Sequence, residues 1–479
     1  MSQSTDNLPW RSGPQSHHIA IELSAELSPL DVLAGWDETE HVLGLISSRS
    51  EIAAGRYSYV MTNPKNCWSL SAVTYGDHPF EKLKQRTAQW ENLQPIPGLP
   101  PFQGGVAGLL GYELNHAFEQ LPEASQKSET PVLAIGEYAW VIAWDHHQNQ
   151  CWLIVSNSEN PQAEAAKVLE TFPWLWEASH GNASPCASPM ASQQTAASSN
   201  RTAEEFQQSV QAVREYIAAG DLFQANIAHQ LRFPVVEKPL ALFQSLCLHN
   251  PAPFSGYLKW EGMTVMSASP ERFLLKQGNR ITTCPIKGTR RLTGSPEADL
   301  FQAKELQVSE KDRAENVMIV DLLRNDLSRV CQAGSIQVPA LCRLETFATV
   351  QHLVSEIQGR LKPACDWWDL LEACWPGGSI TGAPKIRAME IITELEQLQR
   401  GPYCGSLFYL GYDGSADSNL LIRTFVQTQH QLTCHVGGGI TWRSQPEDEY
   451  QETLDKAAGM IRAYTALTTS ESNCSLKSQ

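Results

Sequence analysis

With 479 residues the chain is long enough to bury a large core, as two or three domains or as one elaborate α/β domain with a smaller partner. Its 36 Lys and Arg against 52 Asp and Glu leave a formal charge of -16, which excludes non-specific attraction to nucleic acid or anionic lipid. Any cationic groups that meet an anionic substrate must therefore be local. Twelve cysteines without CxxC or CxxH spacing, a first segment (MSQSTDNLPWRSGPQ) without an apolar signal core, and no apolar run near the roughly 18–20 residues of a membrane span give the expectation of a soluble, cytoplasmic protein.

In chain order, residues 1–177 read as a β-rich N-terminal region. Strand-like runs lie at Ser58 to Met61, Trp140 to Trp144 and Cys151 to Val155, beside the glycine-rich segment GGVAGLLGYE at 104–113. Residues 178–200 lose large apolar side chains and all periodicity and read as a linker or long surface loop. A helix follows, with Phe206, Val210, Val213 and Ile217 at helical spacing, Thr202 and Glu205 in capping-box register and Gly220 as the stop. Next come the strand-like runs FSGYLKW, TVMSAS, RFLLKQG and RITTCPI, interrupted by helical patterns over roughly 301–328 and 384–398. The strands SNLLIRTFVQTQ and QLTCHVGGGI lead into a helix from about 446 to 464. Residues 201–466 read as the catalytic region and 467–479 as a disordered tail. The arrangement is α+β with largely antiparallel sheets and no internal repeat.

Four segments carry candidate chemistry. In KDRAENVMIVDLLRND, Asp312 and Glu315 project from one helix face, where two carboxylates can hold a hard divalent cation or form a solvated acidic face. In SQPEDEYQETLDKAAGMI, Ser444 and Glu447 have capping-box spacing, and Glu449, Glu452 and Lys456 line one stripe. That stripe follows GGGI at 437–440, whose glycines let backbone N–H groups approach an anion. Oxygen-only ligands without clustered His or Cys favour magnesium over zinc. In SASPERFLLKQGNRITTCPIKGTRR, Glu271 and Lys287 sit near the ends of what read as adjacent antiparallel strands, so an acid and an amine converge. Desolvation makes such a lysine a nucleophile, although Lys287 alone has the plainer reading of a solvated strand-end residue. In CWPGGSITGAPKIRAME, Gly377, Gly378 and Gly382 read as a flexible anion or lid loop or a simple turn, with Pro384 at a helix start. His352 by itself is a structural histidine, and Arg423 of LIRTF suits any carboxylate.

Together SASPERF, PIKGTRR, AENVMIVDLLRND, LETFATVQHLVS, GGSITGAPK, LIRT, GGGI and EYQETLDK, over residues 204–464, resemble the chorismate-utilising family. That family includes anthranilate synthase large subunits, aminodeoxychorismate synthases, and the isochorismate and salicylate synthases. The resemblance implies a sandwich-like antiparallel core flanked by helices. It implies magnesium held by Glu315 and Glu452, with Asp312 and Glu449 as water-mediated support. Arg423, Lys456, Tyr409, Gly288, Thr289 and the backbone of Gly437, Gly438 and Gly439 match substrate-binding positions. Glu271 matches the general acid, and His352 a site histidine.

Two positions choose the reaction. Anthranilate synthases carry PIAGT where this chain has PIKGT, and Lys287 is the feature similar to aminodeoxychorismate synthases. There the lysine adds to C2 of chorismate as the C4 hydroxyl leaves, and ammonia then attacks C4. Gln224 of GDLFQANIAHQ stands where isochorismate and salicylate synthases have a water-activating lysine. The resemblance thus implies C4 amination in the para-aminobenzoate and folate route, with C2 amination to anthranilate or a non-catalytic chorismate-binding role as the alternatives.

The N-terminal GLISSRSEIAAGRYSYVMTNP resembles the element that holds feedback tryptophan in anthranilate synthases. Ser47 replaces its acid, and PAPFSGYL at 251–258 departs from the family's NPSPYMFYL, so no tryptophan inhibition is expected, with a tryptophan kept as a structural element as the alternative. Core packing explains the same residues equally well. No cysteine nucleophile elbow or HPE-like segment is visible, so the expected partner is a separate glutamine amidotransferase subunit supplying ammonia.

Overall fold

Apolar residues occupy both faces of central strands drawn from both halves of the chain, and the two faces of each such strand are committed to different layers. The computed structural model describes residues 10–13, 17–90, 93–177, 197–291, 294–346 and 350–475. Two large sheets of antiparallel pairs result. The first runs, edge to edge, through Trp10–Ser12, Ile19–Leu23, Gln150–Val155, Trp140–Asp145, Tyr57–Met61, Val42–Ile46, Phe254–Trp260, Met263–Ser269, Thr424–Gln427, Leu432–Ile440, Gln224–Phe233 and Ser198–Ser199. The short Gly382–Ala383 strand also joins Gln224–Phe233. The second runs through Ile286–Arg291, Val350–Arg360, Arg280–Thr283, Arg272–Gln277, Ala416–Asn419, Ser406–Gly411, Gly105–Leu110, Leu133–Tyr138 and Asn66–Leu70.

The sheets pack face to face. Leu43, Tyr59, Val141, Leu258 and Val265 of the first meet Ala107, Leu109, Leu407 and Tyr409 of the second. Outward-facing Val106, Leu110, Phe408 and Leu410 of the second sheet instead pack with Ile319, Leu323 and Leu371 of the helices Glu310–Val330 and Trp367–Cys374. The first sheet's outer face is covered by the helices Pro29–Gly35, Pro161–Thr171, Pro239–His249 and Pro446–Ser475. The α+β sandwich is as expected. Strands from before residue 177 and after residue 197 interleave in both sheets, so the two regions share one core.

The helix Ala203–Ala219 has the capping box of Thr202 and Glu205 and a left-handed Gly220, φ 88°, as its sequence specified. Other expectations need correction. The helical pattern over 301–328 is two helices, Pro296–Val308 and Glu310–Val330, because the Ser309 hydroxyl accepts from Asp312 N and restarts the turn. SNLLIRTFVQTQ is not one strand. Ala416–Asn419 belongs to the second sheet and Thr424–Gln427 to the first, and the chain crosses between them at residues 420–423. Ser444 makes no capping box with Glu447. Its hydroxyl accepts from Thr441 N instead. The last helix continues to Ser475, past residue 466. Of the 178–200 segment, 178–196 lie outside the described residues, and Ser198–Ser199 pair with the first sheet. No helix among the described residues is long and apolar enough to cross a membrane.

Candidate active site

The site sits where the first sheet opens. Thr424–Gln427 pairs with Leu432 to Cys434 only, so from His435 onward that edge of the Leu432–Ile440 strand has no strand partner among the described residues. One edge of the GGG run pairs with Ala228, Ile227 and Asn226, and main-chain groups on the opposite edge are presented sideways toward the opening. The glycines lie in a strand, as the QLTCHVGGGI run suggested, and their lack of side chains makes the room. A Cβ on Gly438 would meet Lys456 Nζ at 3.3 Å, Glu449 Oε2 at 3.5 Å and Glu452 Oε1 at 3.7 Å, and one on Gly439 would lie 2.4 Å from Gln224 Nε2. Arg423, at the mouth of the opening, has φ 53°, a left-handed conformation at the crossover. We predict that Gly438→Val raises the KM for the anionic substrate by about tenfold to a hundredfold, since small displacements of positioned groups are costly. A thermal midpoint near wild type, read alongside steady-state kinetics, would separate this from unfolding.

Four carboxylates converge beside those glycines. Asp312 and Glu315 come from Glu310–Val330, and Glu449 and Glu452 from Pro446–Ser475. Burial raises the Glu315 carboxyl above its ordinary range against the pull of Lys287 and Lys311, and burial likewise raises Glu449. Burial would also raise Glu452, but Lys456 at 2.8 Å, with Lys311 and Lys287 behind it, holds it below the usual range. Lys311, missed by the sequence analysis, reaches Glu449 at 3.6 Å. Burial pulls its amine down, but all four acids act on it and leave its pKa raised. Asp312 pairs with Arg290 at 3.4 Å. Lys456 Nζ also donates to Gly437 O at 2.9 Å.

As the side chains stand, no group of three or more His, Cys, Asp and Glu among the described residues is arranged to hold a metal ion. The donor set nevertheless fits a hard divalent cation. All its donors are carboxylates, Gly438 leaves the space between them clear, and Glu315 Oε1 is buried with no hydrogen-bond partner among the described residues.

On the other side of the opening, Lys287 and Glu271 are brought together, though not by adjacent strands. Their strands, Ile286–Arg291 and Arg272–Gln277, are separated in the sheet by Val350–Arg360 and Arg280–Thr283. Ser379 closes the gap: its hydroxyl donates to Glu271 Oε1 at 2.9 Å, and its carbonyl accepts from Lys287 Nζ at 3.2 Å. Burial lowers the Lys287 amine, opposed by Glu315 and Glu271. Burial raises the Glu271 carboxyl, opposed by Lys287, the Ser379 hydroxyl and Arg423. Both shifts favour a neutral amine facing a protonated acid. Gly288, φ 71°, makes a bulge that turns the chain beside Lys287, and a Cβ there would lie 2.8 Å from Leu306 Cδ1.

Residues 377–383 are buried, which rules out the lid role suggested by their glycines. Ile380 O is fixed by Asn226 Nδ2 at 3.0 Å and Arg400 Nη1 at 3.1 Å, and Arg400 is itself paired with Glu396 at 2.6 Å. Ser379, Asn226 and Arg400 escaped the sequence analysis, although Ser379 lies inside the GGSITG run. His352 is pushed down to about 4 by burial and then by Arg423, so at neutral pH it is an uncharged hydrogen-bonding group. Gln224 is fully buried, and neither amide atom has a hydrogen-bond partner among the described residues. The Thr289 main chain pairs with His352, while its side chain lies outside the described residues. Tyr409 is not brought to the site. It packs in the inter-sheet core, 4.7 Å from Phe102 and 5.4 Å from Tyr59 between ring centroids. A cavity of about 230 Å3 lined by Gln230, Arg232, Arg400 and His435 contains neither the amine, the acid nor the carboxylate cluster.

This constellation has counterparts. Residues 46–462 match the family model described as chorismate binding enzyme. Aminodeoxychorismate synthase component 1 of Salmonella typhimurium is 43% identical over 464 residues, 95% of this chain and 97% of that protein. An anthranilate synthase component 1 of Haloarcula marismortui is 38% identical over 76% of each chain. The crystal structure of anthranilate synthase component I from Streptococcus pneumoniae superposes with a TM-score of 0.73 at 28% identity, covering 85% of this chain and 92% of that one. By sequence over most of its length and by fold, the chain belongs to the chorismate-binding enzyme family.

Proposed function

We propose that the chain aminates chorismate at C4, giving 4-amino-4-deoxychorismate for para-aminobenzoate and folate synthesis, with Lys287 as covalent nucleophile and Glu271 as general acid. The observation that carries this is the Lys287–Ser379–Glu271 arrangement, an amine pushed down and an acid pushed up by the same enclosure. Chorismate is a dicarboxylate, and Arg423, Lys456 and the main-chain edge at Gly437, Gly438 and Gly439 that has no strand partner among the described residues supply local positive potential on an otherwise acidic protein. Magnesium, held by Glu315 and Glu452 with Asp312 and Glu449 in support, supplies charge for the ring carboxylate when bound.

The neutral Lys287 nitrogen bonds to C2. The C1=C2 and C5=C6 electron pairs move to C1=C6 and C4=C5, and the C4–O bond breaks. Glu271 gives its proton to the departing hydroxyl, which leaves as water. Ammonia then bonds to C4, the electron pairs return, and the C2–N bond breaks to release Lys287. The enolpyruvyl ether is never cleaved, so no pyruvate forms. Ammonia comes from a glutamine amidotransferase subunit, in keeping with the "component 1" in the names of the relatives.

The 38% identity to an anthranilate synthase supports the second reading, C2 amination with pyruvate release. Incubating the purified chain with chorismate, magnesium and ammonium, and assaying both pyruvate and products, decides between them. Anthranilate and stoichiometric pyruvate as the main products would overturn the C4 assignment.

A further inference from the structure

We infer that Ser379 is a positioning residue that orients both reacting groups at once: its hydroxyl selects the Glu271 oxygen that carries the proton, and its carbonyl aims the Lys287 lone pair. The inference rests on the C4-amination reading for the roles of the two groups.

The Ser379 hydroxyl donates to Glu271 Oε1. An oxygen that accepts this hydrogen bond is the carbonyl-like oxygen of the neutral acid, so the transferable proton resides on Oε2. Lys287, as a neutral amine, has two N–H bonds and one lone pair. Giving one N–H to Ser379 O at 3.2 Å removes much of the rotational freedom at Nζ and leaves the lone pair directed away from the turn. The turn that carries Ser379 is itself immobilised. It is the single 3-10 turn Gly378–Ile380, and its next carbonyl is clamped by Asn226 and the buried Arg400–Glu396 pair. Bulk is excluded around it, since a Cβ on Gly378 would lie 2.8 Å from Leu322 Cδ2 and one on Gly377 2.9 Å from Leu420 Cδ2.

The balance of the step is unchanged by this. The Oε2 proton leaves with the C4 oxygen as water while the Lys287 nitrogen bonds to C2, and Ser379 neither gains nor loses a proton. The charged groups that face Glu271 are Lys287 and Arg423, with the Ile286 main chain as a further donor, and all three stay in place when the Ser379 hydroxyl is removed.

The test is Ser379→Ala together with Ser379→Thr, each assayed with ammonium across pH. A hydroxyl donor stabilises the carboxylate, so its removal raises the Glu271 pKa. For a group that acts in its protonated form, the alkaline fall in kcat then moves to higher pH. Ser379→Ala should lower kcat about tenfold or more, leave the KM for chorismate within about twofold, and shift the alkaline limb upward by about half a pH unit or more. Ser379→Thr, which keeps the hydroxyl, should hold the limb at its wild-type position. An unmoved limb in Ser379→Ala, or an equal shift in Ser379→Thr, would overturn the inference. The limb is read as chorismate consumption, so it remains measurable even if the wild-type product turned out to be anthranilate. That result would remove the C4 reading alone.

Discussion

Lys287→Ala should lower C4 amination by about three orders of magnitude or more, because it removes the atom proposed to bond to C2 instead of a group that assists it. Nothing nearby replaces that atom. Lys311 and Lys456 are held on the carboxylate cluster, at 3.6 Å from Glu449 and 2.8 Å from Glu452, and Lys385 is paired with Asp326 at 2.6 Å. The substitution brings the PIKGT run toward the PIAGT of anthranilate synthases, and slow anthranilate formation is the expected residual activity. A second measurement addresses the covalent step directly. Wild-type protein mixed with chorismate and magnesium but no ammonia should gain the mass of chorismate less one water, and the variant should gain nothing. A variant that still made 4-amino-4-deoxychorismate at the wild-type rate would exclude an obligatory lysine adduct.

Local signals in the sequence were borne out at some helices and not at others, since the Ser444–Glu447 spacing formed no capping box. Thr202, Glu205 and Gly220 bound their helix because capping chemistry acts within one turn, and Glu449, Glu452 and Lys456 share a face because helical spacing alone puts them there. What the sequence could not express was contact across sheets. Lys287 and Glu271 do meet, but through Ser379, some 90 residues later in the chain, and not by strand adjacency. The glycines at 437–439 were noticed for the right reason, backbone access to an anion. That one edge of their strand lies open depends on Thr424–Gln427 ending its pairing at Cys434, a tertiary fact. Arg423 came from family resemblance, and only the fold shows it at a crossover between two sheets. Tyr409 shows the converse, since its strand alternates Leu407 and Tyr409 inward with Phe408 and Leu410 outward, and the inward face is core. Ser309 could have been read as the break in the long helical pattern, since Ser with Asp three residues on is itself a start signal.

Glu315→Gln should abolish the response to magnesium while leaving the fold intact. Glu315 Oε1 is a buried oxygen with no hydrogen-bond partner among the described residues, on a carboxyl raised by burial. Keeping such a group costs stability unless a ligand satisfies it, with an unpaired buried polar atom worth about 1–3 kcal/mol. The wild-type protein should therefore gain thermal stability with magnesium, by about 2.7 kcal/mol at a hundredfold excess over Kd, and the variant should gain little. Activity should fall by about a hundredfold or more in the same variant, because the ring carboxylate loses its counter-charge. Glu452→Gln makes an informative contrast. Its partner Lys456, at 2.8 Å and also bonded to Gly437 O, loses its ion pair beside the glycine edge, so chorismate binding should weaken along with the metal response. If both variants kept the wild-type thermal shift with magnesium, the carboxylates of the two helices would be an acidic face with no metal role. If only Glu315→Gln lost it, the ion would depend on the Glu310–Val330 helix, and the Glu452–Lys456 pair would serve the substrate alone.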